Sequence, residues 1–172
     1  MSEPQDKREA KDNIGFHSNT KNNDEWLTPP YLIEALGEFD LDPCSPIDRP
    51  WDTATKHYTK EDDGLSQKWE GRVWLNPPYG RETFKWLAKL SIHGGGGIAL
   101  IFARTETKGF HSEIWGKAKG VFFFEGRINF HYVDGTRGDR ANAPSCLVAY
   151  TQEDCEAIAN AGFRGVMIYP NP

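Results

Sequence analysis

Cysteine is scarce and scattered in this chain. Of 172 residues only Cys44, Cys146 and Cys155 are cysteine, and no pair has Cys-x-x-Cys spacing. An odd, dispersed set argues against a disulfide framework or a zinc ribbon and fits a reducing cytoplasm. Positive charge is not in excess: 20 Lys and Arg face 25 Asp and Glu, for a net charge of -5. This excludes a globally basic nucleic-acid binder and leaves a local basic groove open. No apolar run approaches the ~20 residues of a membrane-spanning helix. Residues 1–23 have no apolar stretch of the secretory kind. The five histidines show no ligand spacing, so no metal site is expected. No segment repeats at a fixed period.

What the chain does have is aromatic mass, 13% with six tryptophans. Its length allows one domain with a core of its own. Residues 1–23 are rich in Lys, Asp, Asn and Ser and read as a flexible polar arm. From Trp26 the composition changes. A helix is expected over 31–36, with Pro30 at its start and Gly37 at its end. A strand over 39–42 is stopped by Pro43. Residues 43–70 read as a long loop with at most one helical turn. A strand over 71–76 precedes a helix over 81–91 with Phe84, Leu87, Ala88 and Leu90 inward. Apolar runs at 98–103 and 120–124 read as buried strands, with a helix over 108–117 between them. Then come a strand at 128–132, a polar loop at 133–143, a strand at 145–150, a helix at 153–161 and a last strand at 164–169. The alternation predicts an α/β fold: a mostly parallel sheet, helices on both faces, and an antiparallel end. Ligands of such sheets bind beyond the carboxyl ends of the strands. Asp42-Pro43-Cys44 and Asn76-Pro77-Pro78-Tyr79 stand there.

Asn76-Pro77-Pro78-Tyr79 carries the sharpest chemistry. Two consecutive prolines after an apolar strand make a stiff turn with two N–H donors deleted. Its carbonyls are left to face a ligand, and the Asn76 side-chain oxygen is a second acceptor. Two converging acceptors suit an amino group with two N–H bonds. Tyr79 offers a flat face to a planar ring bearing that amine.

Asn-Pro-Pro-Tyr is also the motif of methyltransferases that use S-adenosyl-L-methionine to methylate an amine or amide nitrogen. The chain resembles the small DNA N6-adenine methyltransferases of phages and prophages. The resemblance spans Asp24 to Tyr150. It rests on Asp24-Glu25-Trp26-Leu27-Thr28-Pro29-Pro30, Phe39-Asp40-Leu41-Asp42-Pro43-Cys44-Ser45 and Gly71-Arg72-Val73-Trp74-Leu75-Asn76-Pro77-Pro78-Tyr79-Gly80. It continues in Ile98-Ala99-Leu100-Ile101-Phe102-Ala103-Arg104-Thr105, Gly126-Arg127-Ile128-Asn129-Phe130 and Ala143-Pro144-Ser145-Cys146-Leu147-Val148-Ala149-Tyr150.

The resemblance implies a Rossmann-like methyltransferase fold, with residues 24–172 a single catalytic domain and no separate target-recognition domain. It implies S-adenosyl-L-methionine as cofactor and double-stranded DNA as partner, without metal or membrane. Asn76 and the Pro77 carbonyl would accept the adenine N6 protons, Pro78 would stiffen the turn, and Tyr79 would stack on a base flipped out of the duplex. Nitrogen would then attack the cofactor methyl directly. Cofactor binding would fall to Trp26, Thr28, Pro29, Asp42, Pro43, Cys44 and Asp63, with Asp42 at the cofactor's positive end and Asp63 at its adenine amine. Phosphate contacts would fall to Arg81, Arg104, Arg127, Arg137 and Arg140. The implied role is modification of phage DNA against host restriction, in the cytoplasm of a bacterial host.

The turn after the first strand departs from the wider methyltransferase pattern, because Asp42-Pro43-Cys44-Ser45-Pro46 has no glycine. An acidic partner for the cofactor ribose is also not evident, Asp48 and Asp52 being weak candidates. Two other readings share the tetrapeptide. One is transfer to RNA adenine or to a protein glutamine amide, which presents the same planar NH2. The other is a non-catalytic DNA-binding relic of the fold.

Overall fold

Two prolines start the first helix. Pro30 occupies its first turn, where no backbone N–H is needed, and Gly37 at φ +91° ends it, giving α1 at Pro30–Leu36. This helix buries Leu32 and Leu36. The computed structural model describes residues 25–172, so the arm expected at 1–23 lies outside the described residues. After α1 come β1 at Leu41–Asp42, β2 at Lys56–His57 and β3 at Val73–Leu75. Next are α2 at Thr83–Ile92, β4 at Gly97–Phe102, α3 at Lys108–Phe110 with a π-helical turn at His111–Trp115, and β5 at Gly120–Phe124. Then follow β6 at Asn129–His131, β7 at Arg137–Arg140, β8 at Ser145–Ala149, α4 at Gln152–Asn160 and β9 at Gly165–Ile168.

Seven strands form one sheet in the order β2-β1-β3-β4-β8-β5-β9. β2, β1, β3 and β4 are mutually parallel, and β8 runs against both β4 and β5. β5 therefore points with the first four, while β8 and β9 are reversed. The architecture is a mixed α/β fold, mostly parallel by strand direction. α2, α3 and the π turn cover one face, where Leu87, Leu90, Phe110 and Ile114 meet Leu75, Ile101 and Val148. α1 and α4 cover the other, where Leu32, Leu36 and Ile158 meet Trp74, Leu100 and Leu147. Strands with apolar residues on both sides need both faces covered.

Three expectations are corrected. The loop at 43–70 contains β2, which pairs in parallel with β1 (Leu41 opposite Lys56). A two-residue Lys-His strand has no apolar alternation to announce it. The loop at 133–143 contains β7, which folds back on β6 as a separate two-stranded sheet. Arg-Gly-Asp-Arg lacks β-branched and aromatic residues, so tertiary contact makes this strand, not propensity. The helix at 108–117 is one short α-turn that widens into a π turn. In α2 the buried set is Thr83, Trp86, Leu87 and Leu90. That is i, i+3, i+4, i+7 counted from Thr83, which brings in Trp86.

Register decides what meets at the carboxyl edge. Leu41 lies opposite Val73 in a parallel pair. The chain leaving β1 at Pro43 and the chain leaving β3 at Asn76 therefore emerge side by side. At the other edge, just before β3, Arg72 forms a bracket. Its Nε donates to Asp154 Oδ1 at 2.9 Å, and its Nη1 donates to the Leu36 and Glu38 carbonyls at 2.9 and 3.0 Å. Asp154 is 3% exposed and also accepts from Gly97 N at 2.7 Å and Thr151 Oγ1 at 2.6 Å.

Candidate active site

A cavity of about 450 Å³ opens at the carboxyl edge. All four residues of Asn76-Pro77-Pro78-Tyr79 line it. The turn after β1 lines it through Pro43, Cys44, Ser45 and Pro46. The long loop contributes Thr59, Lys60, Asp63 and Gly64, the segment before α1 contributes Glu25 and Trp26, and α2 contributes Trp86.

Each wall is held by a specific contact. The Cys44 thiol donates to the Asn76 carbonyl at 3.1 Å, joining the two turns. Burial and the neighbouring Asp42 push this thiol well above its usual range, so it is a protonated donor. Thr83, at the start of α2, donates from Oγ1 to the Pro78 carbonyl at 2.7 Å and accepts from Gly80 N at 3.1 Å. The carbonyls on either side of Pro77 O are thus engaged. Gly64 is required where it stands, because a Cβ there would collide with the Pro43 carbonyl. Trp69 Nε1 donates to the Gly64 carbonyl at 2.8 Å, and Lys89 Nζ donates to the Leu65 carbonyl at 2.7 Å. These contacts set Asp63 at the wall in a left-handed conformation, φ +53°, which Asp tolerates better than most residues.

Tyr79 presents one face only. Its ring stacks on Phe102 at 4.0 Å between centroids and 10° between planes. Its hydroxyl lies 3.5 Å from Asn76 Oδ1, a long donor contact. Burial raises its pKa beyond the ordinary tyrosine range, so the group remains a donor. A base stacking on Tyr79 would use the face opposite Phe102.

Of the residues expected at the cofactor, Trp26, Pro43, Cys44 and Asp63 line the cavity, whereas Thr28, Pro29 and Asp42 do not. Thr28 is 3% exposed, and its Oγ1 accepts from Trp74 Nε1 at 3.1 Å and Asn76 Nδ2 at 3.4 Å. Asp42 lies beneath the turn. Its Oδ2 accepts from Thr53 Oγ1 at 2.5 Å, and its Oδ1 accepts from Cys44 N at 3.2 Å. Arg81, Arg104, Arg127, Arg137 and Arg140 are exposed and lie outside the lining. Among the described residues, Arg49, Arg72 and Arg164 pair with carboxylates and these five do not. Glu25, Lys60, Trp86 and Phe102 were not singled out from sequence. Glu25 and Phe102 do stand within the motifs that carry the resemblance, and Trp86 had a signal in its helical spacing from Thr83 and Leu90.

Burial pushes Asp42 up to about 6, against the opposing pull of Thr53, Cys44 N–H and Arg49. The folded state thus holds this proton more tightly than the unfolded chain. Stability from this group is complete below pH ~4 and is lost as pH rises through about 6. The loss is on the order of 3 kcal/mol. In Asp42→Asn, an amide that still pairs with Thr53 and Cys44 N–H removes this contribution. Urea unfolding from pH 4 to 7.5 should show wild type losing stability relative to the variant by that amount. A constant difference across the range would refute it.

The chain matches the family model described as DNA N-6-adenine-methyltransferase (Dam) over residues 16–160. The match runs past both ends of the resemblance read from the motifs, Asp24 to Tyr150. No curated protein and no solved structure matches the chain. No helix among the described residues is long and apolar enough to cross a membrane, and no group of His, Cys, Asp and Glu there is arranged to hold a metal ion.

Proposed function

The chain belongs to the DNA N-6-adenine-methyltransferase (Dam) family, and on that premise we propose that it transfers a methyl group from S-adenosyl-L-methionine to N6 of adenine in double-stranded DNA. The observation that carries this reading is the convergence of Asn76-Pro77-Pro78-Tyr79 and the turn after β1 on one cavity at the carboxyl edge. The donor set fits the cofactor. The carboxylate of Glu25 suits an ammonium and a sulfonium, that of Asp63 suits an adenine amine, Lys60, 3.6 Å from Glu25, suits a carboxylate, and the indoles of Trp26 and Trp86 suit an adenine ring. When bound, the cofactor supplies an electrophilic methyl on sulfur. Pro43 and Cys44 shape its side of the cavity. Pro29, Thr28 and Asp42 act from beneath by fixing the turns that line it.

The chain's own residues hold the amine. Asn76 Oδ1 and the Pro77 carbonyl accept the two N6 protons, which draws the nitrogen lone pair out of the ring and makes it more nucleophilic. Tyr79 stacks on the flipped base with its free face. No covalent enzyme intermediate is needed, so rate comes from positioning and electrostatics. Arg81, Arg104, Arg127, Arg137 and Arg140 contact phosphates. The β6–β7 ribbon, which carries the last two, has dimensions that suit a major groove. Residues 24–172 act as one Rossmann-like catalytic unit. Its biological role is modification of phage DNA against host restriction, in the cytoplasm of a bacterial host.

The test is incubation with S-adenosyl-L-methionine and adenine-unmethylated duplex, followed by nucleoside mass spectrometry. N6-methyladenine is expected. Cofactor binding without a methylated base would point to RNA adenine or a glutamine amide. No cofactor binding would leave a DNA-binding relic of the fold.

A further inference from the structure

The geometry points to Thr83 as the positioning residue that holds Tyr79 in place as a platform for the target base; this rests on the reading of Tyr79 as the stacking residue. The Thr83 hydroxyl donates from Oγ1 to the Pro78 carbonyl at 2.7 Å and accepts from Gly80 N at 3.1 Å. The carbonyl belongs to the peptide unit before Tyr79, and the N–H belongs to the unit after it. One oxygen therefore holds both peptide planes that meet at the Tyr79 Cα. The polarity of this bridge is fixed. A carbonyl can only accept and a backbone N–H can only donate, so the hydroxyl proton is committed to Pro78 and a lone pair to Gly80.

The turn needs such a bridge on one side. Before Tyr79 stand two prolines, whose φ angles are locked by their rings. After it stands Gly80, at φ +137° and with open space where a Cβ would lie. Backbone freedom enters the turn at this glycine. Thr83 closes it from a firm base, since it is 6% exposed and shares the buried face of α2 with Trp86, Leu87 and Leu90. A threonine that caps a helix accepts from an amide of the helix's own first turn. Thr83 Oγ1 accepts instead from Gly80, which precedes α2, so the contact serves the turn and not the helix. Phe102 supports the Tyr79 ring on one face. Phe102 thus sets the plane of the ring, and Thr83 sets the backbone from which the ring projects. Thr83 does not line the cavity, whereas Tyr79 does. It acts on the reaction through Tyr79.

The test compares Thr83→Val, which keeps the shape and removes both hydrogen bonds, with Thr83→Ser, which restores them. Single-turnover methyl transfer to adenine-unmethylated duplex is measured beside cofactor affinity by calorimetry. The expectation for Thr83→Val is a rate lower by about tenfold, with cofactor Kd unchanged within about twofold. Thr83→Ser should recover most of the rate. In a Tyr79→Ala background the same Thr83→Val change should cost less than about twofold, because a residue that acts through Tyr79 has nothing left to position there. An undiminished loss in that background would overturn the proposal and leave Thr83 as a support for α2. Wild-type rate in Thr83→Val would also overturn it, as would a cofactor Kd that rises as far as the rate falls. Fluorine NMR with 3-fluorotyrosine in place of Tyr79 reads the ring without catalysis. Thr83→Ser should match wild type, and Thr83→Val should shift or broaden the line; identical spectra would refute the proposal. Should Thr83→Val fail to fold, Thr83→Ala should show the same loss of rate, and wild-type rate in it would refute the proposal. If wild-type protein itself makes no N6-methyladenine, the function fails, and the fluorine spectrum alone decides whether Thr83 holds the ring.

Discussion

Asn76→Ala is expected to lower the single-turnover rate of methyl transfer by about 10²–10³-fold, as removal of a preorganised transition-state contact does. The substitution deletes the Oδ1 acceptor together with the long contacts that the amide makes to Thr28 and Tyr79. The Asn76 carbonyl that accepts from Cys44 belongs to the backbone and stays. Thr28 keeps its donor from Trp74, while the Tyr79 hydroxyl loses its long contact to Oδ1. The cavity gains room without losing a wall, and cofactor affinity should remain within about threefold, a change below 0.7 kcal/mol. The result that counts against the role is parallel loss, with cofactor Kd rising as far as the rate falls. Asn76 would then be a residue that builds the cavity rather than one that holds the substrate.

A second large effect is expected far from the cavity. Arg72→Ala should destabilise the fold by about 3 kcal/mol, because it strips the cation from Asp154, a buried carboxylate in a part-buried ion pair. Asp154 would keep its bonds from Gly97 N and Thr151 Oγ1 but lose its only cation among the described residues. The carbonyls of Leu36 and Glu38 would lose their donor as well. Arg72 also packs over the ring of Phe39 at 4.3 Å, so its removal loosens α1, β1 and α4 together. Urea denaturation should show the midpoint falling. Methyl transfer well below the melting transition should be near wild type, since Arg72 sits at the edge opposite the cavity. An unchanged midpoint would show that solvent replaces the guanidinium, which is partly open at 23% side-chain exposure.

These two variants separate what local sequence encodes from what it does not. Asn76-Pro77-Pro78-Tyr79 is readable because its chemistry is local: two prolines stiffen the turn, and the Asn and Tyr flank them in the same four residues. The buried strands at Gly97–Phe102 and Gly120–Phe124 are readable for a similar reason, as short apolar runs bounded by glycine. β7 is not, because nothing in Arg-Gly-Asp-Arg prefers a strand until β6 lies beside it. Arg72 shows the same limit for charge. From sequence it is one more cation near the candidate site, and only the fold brings Asp154, 82 residues away, to within 2.9 Å.

The site divides along the same line. The amino-acid order alone determined an alternating α/β chain and placed two turns at the ends of strands. Through its motifs it also pointed to the family that the chain belongs to. Only the tertiary structure decided how the remaining residues divide their labour. Parallel register between β1 and β3 sets the Cys44 thiol on the Asn76 carbonyl. Packing of Phe102 consumes one face of Tyr79. Burial turns Thr28 and Asp42 inward to support the turns. Hydrogen bonds and desolvation act across space, so which oxygen meets the cavity and which holds it up is settled by the neighbours folding supplies.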